Sequence, residues 1–272
     1  MRYEKLSSIR IIVLVFVFSW TPWFLLALLP LKNKGESHPL YLIGGVGPLI
    51  AVLICWLWDK RNRIKWENPF TKTKKLLWLL VLIVLYGALP VLIGAALAPL
   101  FGGPSFNLEA GKSSISALGG VFAFIPVVLL AGPITEEIAW HGYLWPRFRS
   151  LQSRIQASII LGLIWGLWHF PLFLITGTKQ FSGGGILSLY FFFFILSGLF
   201  QTYLFASIYE ITGFGVWSAI GMHFFVNLSG DFAAYSWQAR TIEMCLLALC
   251  CVVSYIVLKK RESPPKTLPS TG

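Results

Sequence analysis

Two adjacent glutamates, Glu136 and Glu137, lie in an apolar part of the sequence, within the stretch GPITEEIAWHGYLW at positions 132–145. The run just before it, VFAFIPVVLLA, carries no charge. A carboxylate at the centre of a bilayer costs about 2.5 kcal/mol or more, and two neighbouring carboxylates repel each other. Ionisable residues at this depth usually face a cavity or the interior of a helix bundle, so they indicate a functional site.

Three histidines and one asparagine lie in apolar segments in the same way. Residues four apart share one face of a helix, so each such pair can direct both side chains at one point. The spacing predicts three pairs, Glu137 with His141, Trp165 with His169, and His223 with Asn227. Each residue alone could be a structural interhelical hydrogen bond, but the combination on three segments favours one shared site.

These residue types suit the hydrolysis of a peptide bond. The reaction needs a base that works near neutral pH, which a carboxylate in an apolar site can supply. It also needs donors for the developing oxyanion, which an imidazole and a carboxamide provide. No Ser or Cys is paired with a base in these stretches, so a covalent mechanism is disfavoured. A zinc site formed by Glu136, His169 and His223 is an open alternative, although no H-E-x-x-H motif is present.

Long apolar segments must position these residues. The chain has 272 residues, of which 56% are hydrophobic and 12% are charged, about half the charged fraction of a soluble protein. A spanning helix needs about 20 apolar residues. The sequence therefore predicts an all-α, polytopic membrane helix bundle of about eight transmembrane helices. The segments are approximately 11–31, 40–58, 76–100, 117–144, 156–175, 185–208, 214–229 and 241–258.

The net charge of +11 is distributed as membrane topology requires. With a cytoplasmic N-terminus, inner loops and tails contain 17 of the 22 Lys and Arg residues, which is the positive-inside bias. It predicts cytoplasmic N- and C-termini, and it attributes the basic excess to anionic lipid headgroups and not to nucleic acid. We expect an integral protein of the plasma membrane.

The segments form one predicted domain, residues 1–258, followed by a polar, Pro-rich and disordered tail at 259–272. The tail ends in LPSTG, which resembles a sorting signal but faces the wrong side and lacks the apolar segment that should follow. The basic loop beginning DKRNRIKWENPF is predicted to lie along the headgroups. Gly132 and Pro133 are predicted to break or kink the fourth segment just before Glu136.

Three motifs resemble those of the CPBP family of intramembrane proteases, which includes type II CAAX prenyl endopeptidases and bacteriocin-processing or immunity proteins. EEIAWH is similar to E-E-x-x-x-R, WGLWH to F-x-x-x-H, and HFFVN to H-x-x-x-N, in the family's order, over residues 117–230. The resemblance implies that Glu136 and His169 activate a water molecule. It also implies that His223 and Asn227 form the oxyanion hole and that Glu137 supports the site.

The sequence departs from the family motifs at two supporting positions, where His141 replaces the arginine and Trp165 replaces the phenylalanine. We therefore predict an intramembrane endopeptidase that acts on a peptide or a membrane-protein tail and is similar to CAAX proteases. The glutamates lie nearer the inner side, so the site is expected to open toward the cytoplasmic half. The alternatives are a catalytically weakened immunity or scaffold protein, suggested by His141, and a proton-coupled transporter that relays protons through buried Glu and His.

Overall fold

The computed structural model describes residues 2–31, 34–58, 73–233 and 236–261. The basic loop from 59 to 72 and the tail from 262, including LPSTG, lie outside the described residues. The last helix runs to Arg261, three residues beyond the predicted end of the membrane domain.

The described residues form helices and no strands, which confirms the all-α membrane bundle. Fourteen α-helices follow in order: α1 Arg2–Leu28, α2 Pro39–Gly45, α3 Gly47–Trp58, α4 Thr73–Ile83, α5 Leu89–Leu97, α6 Leu108–Ala117, α7 Val121–Leu129, α8 Thr135–Glu137, α9 Trp145–Arg149, α10 Arg154–Trp168, α11 Lys179–Ser182, α12 Leu189–Thr212, α13 Val216–Phe232 and α14 Trp237–Arg261. Wider π-helical turns occupy Val84–Ala88, Leu130–Ile134 and Ile138–Leu144, and 3₁₀ turns occupy Ala98–Phe101 and Phe170–Leu174.

Six helical stretches in the described residues are long and apolar enough to cross a membrane, and α2 with α3, bent by 48°, makes up to seven. The seventh predicted segment, 214–229, corresponds to α13, with 17 residues. At 1.5 Å per residue it is about 26 Å long, shorter than the ~30 Å hydrocarbon core. Among the predicted segments in the described residues, this one is thus too short to qualify as a span.

The fourth span is one helical path of 29 residues, Val121–Arg149, and Gly132 and Pro133 do not break it. Proline lacks an N–H and its ring would clash with the preceding turn of an α-helix. Here the turn Leu130–Ile134 is widened to a π-helix that contains Pro133. A second wide turn begins directly after Glu137. The interruption expected from the sequence is therefore a change in helical pitch, which is frequent at functional sites.

Glycines allow α10 and α12 to pack closely. A Cβ on Gly162 would lie 3.1 Å from the Cα of Leu199, and a Cβ on Gly198 would lie 2.8 Å from the ring of Trp165. Small residues at such positions let membrane helices approach each other. The missing side chain of Gly198 therefore leaves the space that the Trp165 ring occupies.

The two ends of the bundle differ in charge. At one end, which we call the arginine end, Arg149 and Arg154 each donate to Glu210 at 2.7 Å. Arg147 donates to the hydroxyl of Ser7 in α1 at 3.1 Å. At the other end, which we call the lysine end, Lys179 pairs with an acidic residue of α13 at 2.6 Å. These contacts tie the loops at each end to the helices.

Candidate active site

Glu136 is 6% exposed and accepts a hydrogen bond from a neutral donor. The indole Nε1 of Trp165 donates to its Oε2 at 2.7 Å. The Trp165 ring is itself fixed, because it stacks on Phe194 with centroids 5.7 Å apart and 11° between the planes. The replacement of the motif phenylalanine by tryptophan therefore supplies a hydrogen bond to the first glutamate.

Glu137 is buried beside Glu136 but has imidazoles on both oxygens. Its Oε2 bonds Nδ1 of His141, and its Oε1 accepts from Nδ1 of His223 at 2.8 Å. The expected pairing of Glu137 with His141 is thus present. The other nitrogen of His141 lies 3.5 Å from the carbonyl oxygen of Thr202. His141 therefore occupies the place of the motif arginine as a partner of Glu137.

The orientation of His169 follows from its backbone contact. Its Nδ1 lies 2.9 Å from the carbonyl oxygen of Trp165, and a carbonyl can only accept, so Nδ1 carries the proton. In the neutral ring the lone pair is then on Nε2. The ring lies edge-on to the rings of Trp165 and Trp168, with both centroids at 4.5 Å. This aromatic packing fixes the direction of Nε2.

Three polar atoms from two helices surround one point beside Gly132. A Cβ placed on Gly132 would lie 3.3 Å from Nδ2 of Asn227, 3.4 Å from Oε1 of Glu136 and 3.8 Å from Nε2 of His223. His223 and Asn227 thus direct their side chains to one place, as their spacing predicts. The space at this point is about the size of a methyl group or a water molecule.

The structure brings all seven predicted site residues together. Trp165 contacts Glu136 and His169 and lies 6.2 Å from the ring of His223. Glu137 joins His223 to His141, and Asn227 faces Gly132 with Glu136.

Several residues of α12 at the site carried no sequence signal. Phe205 packs against the rings of His141 and His223, with centroids 5.7 Å and 6.0 Å away. A cavity of about 10 Å³ lies beside Glu137 and is lined on the α12 side by Gln201, Thr202 and Phe205, which is room for about one water. Phe194 and Phe205 belong to aromatic stretches that look like ordinary lipid-facing sequence, so no motif could have identified them.

The zinc alternative does not match the geometry. Among the residues that the structure describes, no three His, Cys, Asp or Glu side chains form a group that could hold a metal ion. The expected ligands Glu136, His169 and His223 therefore do not make a metal cluster, and no step below is derived from a metal.

The site lies nearer the lysine end than the arginine end. Along α10, His169 is about 22 Å from Arg154 at 1.5 Å per residue. Along α13, Asn227 is only about 8 Å from the last residue, Phe232. Below the site, every residue from 135 to 145 is buried. The polar atoms beside Gly132 are therefore closed off from the arginine end by packed side chains.

The ion pair of Lys179 with Asp231, at the lysine end, lies outside the spanning segments. Burial alone would lower the pKa of the Lys179 ammonium, but the carboxylates of Glu36 and Asp231 outweigh burial and raise the pKa above its ordinary value. Lys179 is therefore charged at neutral pH, and it pairs with an Asp231 side chain that is 9% exposed.

Comparison with known proteins agrees with this site. Residues 118–229 match the family model described as type II CAAX prenyl endopeptidase Rce1-like. This part of the chain is therefore similar to the Rce1-like proteases. It is also 29% identical over 260 residues to the CAAX prenyl protease 2 of Methanococcus maripaludis, covering 91% of this chain and 92% of that protein.

The matched range contains all seven site residues, from Glu136 to Asn227. The family expected from the three short motifs is confirmed, and so is the predicted enzyme class, a membrane protease. The relative's match extends beyond the motif region over nearly the whole helical bundle. The role of each residue and the substrate are questions of mechanism.

Proposed function

We propose that this membrane protease hydrolyses a peptide bond with a water molecule that Glu136 and His169 activate. The observation that carries the proposal is the convergence of Glu136 Oε1 with side-chain nitrogens of His223 and Asn227 beside Gly132. A base and two oxyanion donors within about 4 Å of one point is the arrangement that water attack on a carbonyl needs.

In the first step, the water oxygen attacks the scissile carbonyl carbon and the carbonyl π electrons move onto the oxygen. The proton of the water passes to Glu136, while Nε2 of His169 accepts a hydrogen bond from the same water. Trp165 holds Oε2 of Glu136 in place, so that Oε1 is the oxygen that receives the proton. Geometry, before acidity, is the first requirement for a general base.

In the second step, the tetrahedral oxyanion is stabilised and then collapses. Nδ2 of Asn227 donates to the oxyanion, and His223 donates from Nε2 when its ring is protonated. The Glu137 carboxylate on Nδ1 of His223 compensates the charge of that imidazolium, as the aspartate does in a serine protease triad. The C–N bond then breaks, and the amine leaves with the proton that Glu136 took from water.

We propose a peptide or the tail of a membrane protein as the substrate. The relative's name, CAAX prenyl protease 2, makes prenylated C-terminal tails one class to test and leaves unprenylated peptides as the other. We further propose that the protein lies in the plasma membrane with the arginine end cytoplasmic, as the positive-inside bias favours.

His141 supports an active site over a weakened one. The immunity or scaffold alternative arose from the loss of the motif arginine. Because His141 bonds Glu137, the second glutamate retains a cationic or hydrogen-bonding partner at that position.

The test is cleavage of a mixed library of prenylated and unprenylated peptides by the purified protein in detergent. We expect Glu136→Gln to lower kcat by about 10³-fold or more, since it removes the base. Glu109→Gln is the matched control, because Glu109 is an exposed glutamate of α6, 83% exposed. A parallel arm with chelator tests metal dependence.

Two outcomes would contradict the proposal. Turnover that persists in Glu136→Gln would show that Glu136 is not the base. A folded protein that cleaves nothing but binds a peptide equally well with and without Glu136→Gln would favour the scaffold alternative.

A further inference from the structure

We propose that substrate enters from the lysine end, and that residues 175–188, here called the strap, form a gate over the entrance. The inference rests on the proposed hydrolysis at Glu136, because it concerns the route to that residue. With the arginine end cytoplasmic, as proposed above, this entrance lies on the opposite side from the expected opening toward the cytoplasmic half.

The route from the arginine end is closed by the protein's own core. Residues 135–145 are all buried, and so are residues 201–208 of α12 beside them. Arg147 closes this end further, since it donates to the carbonyl of Tyr143 at 2.8 Å and to Ser7 of α1 at 3.1 Å. A peptide could reach Glu136 from there only by separating these helices.

Helices α12 and α13 are less tightly packed toward the lysine end. Residues 193–196 of α12 and 224–228 of α13 are only half-buried. Asn227, the proposed oxyanion donor, lies within this half-buried part of α13. The change from buried to half-buried along two helices places the accessible side of the site at the lysine end.

An aromatic layer lies between the strap and the site. Phe194 lies 5.0 Å from the ring of His169 and stacks on Trp165. Phe173, two residues before the strap, lies 5.4 Å from Phe194 and 5.9 Å from Tyr190. A substrate that enters from the lysine end must displace this layer, which is therefore the inner part of the gate.

The base of the strap is fixed to the element that carries His169. The hydroxyl of Thr178 donates to the carbonyls of Leu172 and Ile175 at 2.7 Å and 2.8 Å and accepts from the amide of Phe181 at 3.2 Å. The strap therefore begins from a rigid point, and movement is confined to the residues that follow.

Lys179 fastens the strap to two other elements. Its ammonium lies 2.6 Å from Asp231 in α13, and its amide donates to Glu36, before α2, at 3.1 Å. Asp231 is one helical turn beyond Asn227, on the same face of α13. The pair of Lys179 with Asp231, here called the latch, thus connects the strap to the helix that carries the proposed oxyanion hole.

The backbone of the strap is suited to a change of conformation. Gly177 and Gly184 adopt φ of 88° and 112°, and Leu187 adopts φ of 64° although it is not glycine. A leucine with a positive φ is strained. The Leu187 side chain is 90% exposed, so little side-chain packing opposes a change in its backbone conformation.

The first test locks the strap with a disulfide. Gly35 and Gly177 approach closely, since a Cβ on Gly177 would lie 3.0 Å from the Cα of Gly35. The variant Gly35→Cys with Gly177→Cys is made in a background in which Cys55, Cys245, Cys250 and Cys251 are changed to Ala. We expect oxidation to lower peptide cleavage at least tenfold and dithiothreitol to restore it.

The two single-cysteine variants are the controls for the positive φ of Gly177 and for the oxidant, and their cleavage should not respond to oxidation. If the crosslinked protein cleaved peptide as fast as the same protein after reduction by dithiothreitol, the gate would be overturned and the proposed hydrolysis would stand.

The second test needs no activity, so it separates the gate from the proposed function. Phe194→Cys, in the background without native cysteines, is labelled with a membrane-impermeant maleimide. Breaking the latch with Lys179→Met should raise the labelling rate at least fivefold. Lys112→Met, which breaks an exposed pair on α6, is the matched control.

In proteoliposomes, the side from which Phe194→Cys is labelled should be the side from which Leu187→Cys is labelled. The proposal would be overturned if Lys179→Met left the labelling rate of Phe194→Cys unchanged. It would also be overturned if Phe194→Cys and Leu187→Cys were labelled from opposite sides of the membrane.

Discussion

Glu136 and Glu137 are neighbours in sequence and are both buried, yet their surroundings differ. On the Glu136 side, a tryptophan holds one oxygen and the other faces the space beside Gly132. On the Glu137 side, the imidazoles of His141 and His223 take both oxygens. One carboxylate has capacity for a new partner, and the other has its partners already.

In the proposed mechanism, this difference separates a reacting group from a supporting one. A base must have an oxygen available to the proton that it removes, which Glu136 has. A carboxylate whose oxygens are both bonded to imidazoles can orient those rings and compensate their charge. Substitutions on the two sides should therefore fail in different ways, one in chemistry alone and the other in stability as well.

The largest combined effect is expected for Glu137→Gln. An amide keeps the size but presents N–H to one of two imidazole N–H groups, so one buried bond is lost. We expect kcat/KM to fall about 10²-fold, as when a group that orients a reacting imidazole is changed. Breaking a buried pair costs about 3 kcal/mol, so the melting temperature in detergent should also fall.

Glu136→Gln is the reference for this comparison, because it should lose more activity and little stability. If Glu137→Gln left the melting temperature unchanged, or if Glu136→Gln lowered it more, the division into reacting and supporting carboxylates would be wrong.

The next effect is expected for Gly198→Ala, because the missing side chain of Gly198 leaves the space, here called the slot, that the Trp165 ring occupies. A Cβ on Gly198 would lie 2.8 Å from the Trp165 ring, closer than packed atoms approach, so Gly198→Ala must displace the ring and with it the bond to Glu136. We expect a loss of kcat of about 30-fold, in the range of a hydrogen bond to a charged group. Steady-state cleavage and tryptophan fluorescence together measure the loss and the displacement.

Gly166→Ala is the matched control on the facing helix, because its Cβ would meet only the flexible end of Ile195, at 2.9 Å. Equal losses in the two variants would mean that helix packing, and not the position of Trp165, is being measured.

Gly198 also shows where sequence reasoning reaches its limit. Spacing of four identified the polar pairs, because it depends only on the period of one helix. The slot at Gly198 depends on how α10 and α12 pack, and one sequence contains no record of that. The same holds for Phe205 and Thr202, which reach the site from a helix without a motif.

The fold was predictable to a similar extent. Apolar length and the bias of basic residues gave the helical membrane bundle, because the bilayer imposes both. The response of the chain at Pro133 was only partly predictable. A proline requires a local change in the helix, but the surrounding packing decides whether that change is a break or a wide turn.

A smaller effect is expected for Trp165→Phe, which restores the motif residue. Phenylalanine keeps the ring that stacks on Phe194 but loses the donor to Glu136. We expect kcat to fall about tenfold with KM nearly unchanged, since a bond to the base and not to the peptide is removed. A change confined to KM would place Trp165 in substrate binding instead.

The smallest effect is expected for His141→Arg, which restores the other motif residue on the Glu137 side. Arginine can bond both the carboxylate and the carbonyl of Thr202, and the cavity of about 10 Å³ beside Glu137 offers some room for the longer chain. Activity at neutral pH should remain within about threefold of the parent, because the carboxylate keeps a donor partner.

A much larger loss of activity in His141→Arg would contradict this expectation. It would mean that Glu137 requires the imidazole itself at position 141, and not only a hydrogen-bond donor.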